Sequence, residues 1–269
     1  MEIRMPHRAL RQPGTSNAPE LAAGGLALLA NRLLRCLSAD DLELVQPWLA
    51  GVDLARGSAL FEPGDDVHLT YFPQGAAMIS LVIIMPDGKI AEAATVGREG
   101  AIGGMISLGH KPAFARAVVQ IAGPALRIDT DRIEDAKHRS ATFRDVFARY
   151  ADCLLAQVLQ SVCCNVLHTL EARCCRWLLT TQDRVGGDVL PMTQEFLAEM
   201  LGVQRTTVTA VAGSLQERGI ISYHRGRIRV LDRGRLEGLA CSCHAAVLGH
   251  FERVLPGVYP VDARVCAGG

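Results

Sequence analysis

Between Thr193 and Arg218 two short helical patterns are separated by a single glycine, Gly202. This spacing restricts the chain more than any other feature. In the first pattern Thr193 can accept from first-turn N–H groups as an N-cap, and Glu195 suits the positive end of the helix dipole. Phe196, Leu197, Met200 and Leu201 form an apolar stripe at spacings of three and four. Ala198 leaves room for a second helix to cross closely, and Gly202 can take the left-handed backbone that ends the first. The second pattern, Arg205 to Arg218, turns Val208, Val211, Ala212 and Leu215 inward and Gln204, Arg205, Thr206, Thr209 and Ala210 outward. Such a layout is either a helix-turn-helix or an αα-hairpin of an ordinary helical domain.

The residues that follow favour the helix-turn-helix. IISYHRGRIRVLD, 220–232, contains two β-branched runs that meet at Arg225-Gly226, the pattern of a β-hairpin. A helix-turn-helix followed by a hairpin is a winged helix. From Leu201 to Arg235 there are seven arginines against Glu217 and Asp232, a local charge of +5 in a chain that is formally neutral. Positive charge gathered on one segment suits a phosphate backbone.

At 269 residues the chain is long enough for two domains. No apolar stretch stands out as a bilayer span, and no apolar run with a cleavage site follows the start. Residues 1–25 are expected to be a flexible tail, and the protein to be soluble and cytoplasmic. The nine cysteines include Cys163-Cys164, Cys174-Cys175, Cys241-x-Cys243 and the single residues Cys36, Cys153 and Cys266, with no CxxC pair. Most read as small buried hydrophobes, and no metal site is assigned. Cys241, Cys243 and His244 are the one grouping that suggests a metal or redox role.

Leu26 to Ala50 is helical in pattern, with Leu28, Leu29, Leu33, Leu34 and Leu37 apolar and a capped restart at Ser38. Residues 52–65, 68–100 and 114–129 break into short strands at turn signals such as Pro63-Gly64 and Asp87-Gly88. So many strands in so few residues suggest a double-wound β structure or barrel. Helical composition returns from Asp131 to Arg149, and Tyr150 to Val166 reads as one long helix. Phe147, Leu154, Leu155, Val158, Leu159 and Val162 make this helix apolar on more than one side. It either lies within one large core or packs against its own domain and a second chain. A register break is expected near His168-Thr169.

In this order the elements resemble the Crp/Fnr family of bacterial transcription regulators, over about residues 26 to 235. The resemblance rests on VGREGAIGG (96–104) followed by FARAVVQ (114–120), and on PMTQEFLAEMLGVQRTTV (191–208). It implies an α+β fold: a jelly-roll-like β-roll sensor domain (26–140), a dimerisation helix (141–168) and a winged helix-turn-helix (169–235). Residues 236–269 are left as a C-terminal extension of no assigned role. The resemblance further implies partners: double-stranded DNA with a palindromic operator, a second copy of the chain, RNA polymerase and a small anionic effector, with no membrane.

The family's site residues fall on particular positions here. Gly103 matches the cassette glycine whose backbone approaches a cyclic phosphate, and Arg116 the arginine that pairs with it. Gly104 stands where cyclic-AMP-binding members keep a ribose-binding glutamate. Ala117 replaces a phosphate-binding serine or threonine, and Val158 and Leu159 replace hydroxyl residues that reach the purine. Cyclic AMP is therefore not the expected ligand; Arg116 serves either another anion or the strand alone. No iron–sulfur cluster is expected, because Cys36 is the only cysteine before Cys153. His68 and His110 are haem-ligand candidates by residue type only.

In the reading helix Arg205 matches a guanine-reading arginine, while Thr206 replaces a glutamate that accepts from cytosine and Ala210 a second base-contacting arginine. Gln204, Thr207 and Thr209 complete the candidate face. Thr193, His224, Arg225 and Arg227 are candidates for phosphate contact. Two other readings remain: a redox- or metal-responsive regulator using Cys241, Cys243 and His244, and a cupin-like metalloenzyme, which lacks the necessary histidine–carboxylate grouping. The chain is not expected to be an enzyme.

Overall fold

The computed structural model describes residues 30–104 and 112–259. The expected tail, Leu26, Leu28, Leu29, His110 and Cys266 lie outside the described residues.

Ser38 caps helix α1 (Ala39–Val45), accepting from the Asp41 amide at 3.1 Å. The expected restart at Ser38 is observed, but the helical pattern on either side of α1 is 3-10 turns at Leu34–Cys36 and Gln46–Trp48. Pro47 in the second turn cannot donate to a continuing helix, and strand β1 (Ala50–Leu54) follows directly.

The strands β2 (Ala59–Phe61), β3 (Leu69–Pro73), β4 (Met78–Ile84), β5 (Ile90–Val96), β6 (Arg116–Ile121) and β7 (Gly123–Asp129) complete the β unit. They form two antiparallel sheets, ordered β1-β7-β3 and β2-β6-β4-β5. Tyr71, Ile79, Val96, Ala117, Val119 and Ala125 fill the space between them. The Asp87-Gly88 signal is the β4–β5 turn, with Gly88 at φ 82° and its amide on the Met85 carbonyl at 2.9 Å. A β-roll of two packed sheets is therefore observed where short strands were expected.

Helix α2 (Thr130–Arg139) ends at Ser140, which caps the long helix α3 (Ala141–Leu167) by accepting from the Phe143 amide. Phe143, Phe147, Tyr150, Cys153, Gln157 and Cys164 are buried along one side of α3. Phe143 and Phe147 stack at 4.6 Å, the Tyr150 hydroxyl donates to the Ala101 carbonyl at 3.0 Å, and Gln157 Nε2 donates to the Thr95 carbonyl at 3.1 Å. The other side leaves Leu155, Leu159, Val162 and Val166 between 54% and 77% exposed.

The expectation that no stretch reaches bilayer-spanning character needs correction. By length and composition α3 qualifies, with 27 residues and a mean hydropathy of 1.3 over its best 18. Scattered Gln157, Gln160, Ser161 and Asn165 disguise this in the sequence, where Asp152 is the only charge from Tyr150 to Leu167. The aromatic start and the Gln157 bond nevertheless commit one side of the helix to the β-roll.

His168 ends α3 in extended conformation, and Thr169 caps α4 (Leu170–Val185), so the expected break is observed. Then follow β8 (Val189–Leu190), α5 (Gln194–Leu201), α6 (Arg205–Glu217), β9 (Ile221–His224), β10 (Arg227–Val230), α7 (Arg233–Leu239) and α8 (Cys243–Val254). The sheet order β8-β10-β9 makes the wing. Helix α7 runs across the boundary expected at residue 235. Helix α8 returns along α3, and Phe251, Leu255, Val258 and Tyr259 enter the same core as Phe143 and Phe147. The segment after the wing is thus a structural part of the β-roll half.

One buried ion pair joins the halves. Arg184 of α4 and Glu99, which follows β5, are 1% and 2% exposed and meet at 2.8 Å. Arg184 also donates to the Thr95 carbonyl and to Gln157 Oε1, each at 3.0 Å. Burial pulls the Arg184 pKa down, but the Glu99 charge and hydrogen bond together with the nearby Tyr259 and Asp183 outweigh it and hold it above the ordinary value.

Candidate nucleic-acid interface and sensor pocket

Thr193 Oγ1 accepts from the Phe196 amide at 3.2 Å, and Gly202 at φ 66° ends α5. The crossing is sealed by Leu197, Ala198, Met200 and Leu201 of α5 against Val208, Ala212 and Leu215 of α6. Val211 is half-buried. These contacts leave Gln204, Arg205, Thr206, Thr207 and Thr209 exposed on the first turns of α6. Thr209 Oγ1 lies 2.9 Å from Gln194 Oε1 and 3.0 Å from the Arg205 carbonyl, so it braces the two helices as well as facing outward.

In the wing, His224 pairs with Arg227 across a turn in which both Arg225 (φ 46°) and Gly226 (φ 73°) are left-handed. This is the backbone of a tight hairpin, and it holds Arg225 outward. His224, Arg225, Arg227 and also Arg229 are exposed. A Cβ on Gly226 would lie 3.5 Å from Thr193 Cγ2, which places the wing tip beside the cap of α5. The other arginines of the segment serve structure: Arg218 pairs with Glu171, and Arg233 with Asp183 and Glu237. Alternation along β10 could have revealed Arg229, since Ile228 and Val230 point inward.

The helix-turn-helix rests on the β-roll. Gln120 Nε2 of β6 lies 3.3 Å from Met200 Sδ, and the Arg56 guanidinium sits 5.6 Å from the Phe196 ring centroid. Glu92 of β5 is buried and accepts from Ser80 Oγ at 2.7 Å and Trp177 Nε1 at 2.9 Å. Its pKa is raised by burial, against the pull of those two bonds.

In the sensor half, Gly103 has φ 130°, and a Cβ there would meet the Leu69 carbonyl and lie 2.7 Å from Thr70 Cα. The Gly104 amide donates to Thr70 Oγ1 at 3.2 Å, and its carbonyl accepts from Lys137 at 3.3 Å. Both glycines pack against β3 and α2. Arg116 is paired with Glu62 at 2.7 Å, both partly exposed, and Ala117 is buried between the sheets. Val158 is half-buried and Leu159 exposed. A cavity of about 410 Å³ is lined by Leu60, Phe61, Asp65, Asp66, His68 and Tyr71 among others.

Gly104→Glu is not expected to create cyclic-nucleotide affinity. A side chain there overlaps the Thr130 methyl and places Cβ 3.0 Å from Thr130 Cβ. Overpacking of this kind costs about 1–3 kcal/mol, so a lowered unfolding midpoint with no nucleotide binding by calorimetry is the expected result.

His244 does not join the nearby cysteines. Its Nε2 lies 2.7 Å from Asp183 Oδ2, whereas Cys241 and Cys243 face Cys164 and His168 at the end of α3. A cysteine and a histidine four apart on one helix was the signal for this pairing, hidden because Cys163-Cys164 reads first as an apolar pair.

The chain thus joins a β-roll by a long helix to a winged helix-turn-helix. Residues 172–239 match the Crp-like helix-turn-helix domain. Over about three quarters of its length the chain has the fold of Crp/Fnr-family structures. It is similar to FixK2 from Bradyrhizobium japonicum (TM-score 0.62, 17% identity, covering 72% of this chain and 98% of that one). It is also similar to a Crp/Fnr-family transcriptional regulator from Eubacterium rectale (0.58, 18%, 77% and 96%). A third similar structure is the c-di-GMP-responsive global regulator CLP from Xanthomonas campestris (0.55, 14%, 72% and 99%). No curated protein matches the chain.

Proposed function

We propose that this chain is a homodimeric, sequence-specific DNA-binding transcription regulator acting in the cytoplasm, with a sensor unit that does not take cyclic AMP. The observation that carries this reading is the exposed face of Gln204, Arg205, Thr206, Thr207 and Thr209 beside a wing bearing Arg225, Arg227 and Arg229. The N-terminal turns of such a helix reach base edges in the major groove, and the wing arginines and Thr193 supply phosphate contacts that fix position. Thr193 uses a lone pair as cap, so its hydroxyl hydrogen remains available to a phosphate oxygen.

Dimerisation is supported by Leu155, Leu159, Val162 and Val166, which recur at spacings of four, three and four on the exposed side of α3. That is the seam spacing of a coiled coil. In the sensor, an anion reaching Arg116 has to displace Glu62, so any effector there competes with an existing pair. RNA polymerase is the further partner such a regulator would engage.

Recovery and sequencing of genomic fragments bound by the purified chain tests the reading. The expected result is a palindrome with half-sites about 34–36 Å apart; sequence-blind binding that disappears as salt rises would overturn it. Against the recovered operator, Arg205→Ala should cost about 1–3 kcal/mol at one base position and relax preference there. A uniform loss across all sequences would assign Arg205 to phosphate instead.

A further inference from the structure

Cys164 and His168 lie one helical turn apart at the end of α3, and Cys241 and Cys243 flank the start of α8. Although far apart in sequence, their four ligand atoms all lie within 4.8 Å of one another. Cys164 Sγ is 3.5 Å from Cys241 Sγ, and Cys243 Sγ is 3.4 Å from His168 Nδ1. A tetrahedral zinc ion with its usual bond lengths of about 2.3 Å to sulfur and 2.0–2.1 Å to nitrogen has ligand–ligand edges of roughly 3.5–3.8 Å. Two of the six edges already match that tetrahedron, and the other four lie within about 1 Å of it.

We propose that Cys164, His168, Cys241 and Cys243 form a closed Cys3His site for a structural zinc ion. The surroundings fit this chemistry. The three sulfurs are buried, and His168 is half-buried. Gln160 Nε2 donates to Cys243 Sγ at 3.1 Å, an outer contact of the kind that orients metal ligands. Three thiolates and a neutral imidazole around Zn²⁺ leave a net charge of −1, and the Arg173 guanidinium lies close enough to interact with both Cys164 and Cys241. The same guanidinium donates to the Leu201 carbonyl at 2.7 Å, beside the helix-turn-helix turn. All four positions being protein ligands, the site has no open coordination place for catalysis.

Its position defines what it does. One pair of ligands belongs to the helix that ends at the α3–α4 junction, and the other to the segment that returns from the wing to the sensor core. The metal fastens that return at the hinge between the two halves of the molecule.

Elemental analysis of the full-length chain, purified under reducing conditions, tests the assignment without reference to DNA. The expected result is one zinc per chain retained through gel filtration, lost in Cys241→Ser/Cys243→Ser and retained in Cys163→Ser, whose thiol is exposed and outside the site. Cobalt exchanged into the wild-type chain should give the visible spectrum of a tetrahedral, thiolate-ligated ion, a readout that does not depend on any variant folding. A chain that takes up neither ion, or that carries a Cys164–Cys241 disulfide as purified, overturns the proposal.

Discussion

Leu155→Glu/Leu159→Glu is expected to break the proposed α3 seam, leave a monomer of 28.9 kDa and abolish tight operator binding. The two leucines are 54% and 59% exposed in the single chain, and fully burying such side chains gains roughly 1.5–3 kcal/mol each. In a two-fold seam each contributes from both copies. Glutamates at these positions would face the same residues of the second copy and bury unpaired charge, reversing the sign of that gain. The β-roll should be undisturbed, because both side chains point away from Phe143, Phe147 and Tyr150. With only one reading helix per particle, affinity should fall by about 10²–10⁴-fold, the range lost when two linked contacts become one. Sedimentation and operator titration measure both effects. An unchanged dimer mass would remove α3 as the seam.

The second large effect is expected at Arg184→Ala. Removing the guanidinium strands the Glu99 carboxylate at 2% exposure, with only the Gly97 amide left as partner for Oε1 at 3.0 Å. Breaking one side of a buried pair costs about 3–5 kcal/mol. The loss should appear as a lower denaturation midpoint. Arg184→Lys should recover little of it, because an ammonium cannot span Glu99, Thr95 and Gln157 together. Arg184→Met/Glu99→Met should cost less than Arg184→Ala, since no charge is left unpaired. If the double variant is instead the less stable, the pair's attraction exceeds its desolvation cost and the assignment of its role changes. Because α4 begins the helix-turn-helix half, Arg184→Ala should also loosen its connection to the β-roll.

Much of the reader was legible because its determinants are local. Thr193 as cap, Gly202 as a left-handed stop and the inward Val208, Ala212 and Leu215 all act within a few residues, and the structure places each accordingly. Arg225-Gly226 marked the wing turn for the same reason. The β-roll was readable as a class, through turn glycines and short strands, but not as two sheets ordered β1-β7-β3 and β2-β6-β4-β5. Strand pairing there joins residues as far apart as Ala50 and Arg127, and no periodicity encodes it. The N-terminal helical stretch was overread because apolar spacing alone does not register where Pro47 stops hydrogen bonding.

In the β-roll, the family resemblance pointed to a missing ribose glutamate at Gly104 and a lone arginine at Arg116. Only the packing shows that Thr130 occupies the space a glutamate would need, and that Glu62 already holds the arginine. At the C-terminus the sequence offered His244 as the neighbour of Cys241 and Cys243. A neighbour in sequence on a helix points elsewhere, and His244 turns to Asp183. The partners are Cys164 and His168, brought in by the return of α8 along α3.

By itself, then, the sequence determined the elements whose causes are short-range: caps, stops, amphipathic faces and the basic wing. It also determined the apolar surplus of the long helix. Tertiary structure alone decided which of that helix's apolar residues are left exposed, which arginine is buried as a tie between halves, and which cysteines meet. These depend on contacts between distant segments, and their free energy arises only when the chain has closed on itself.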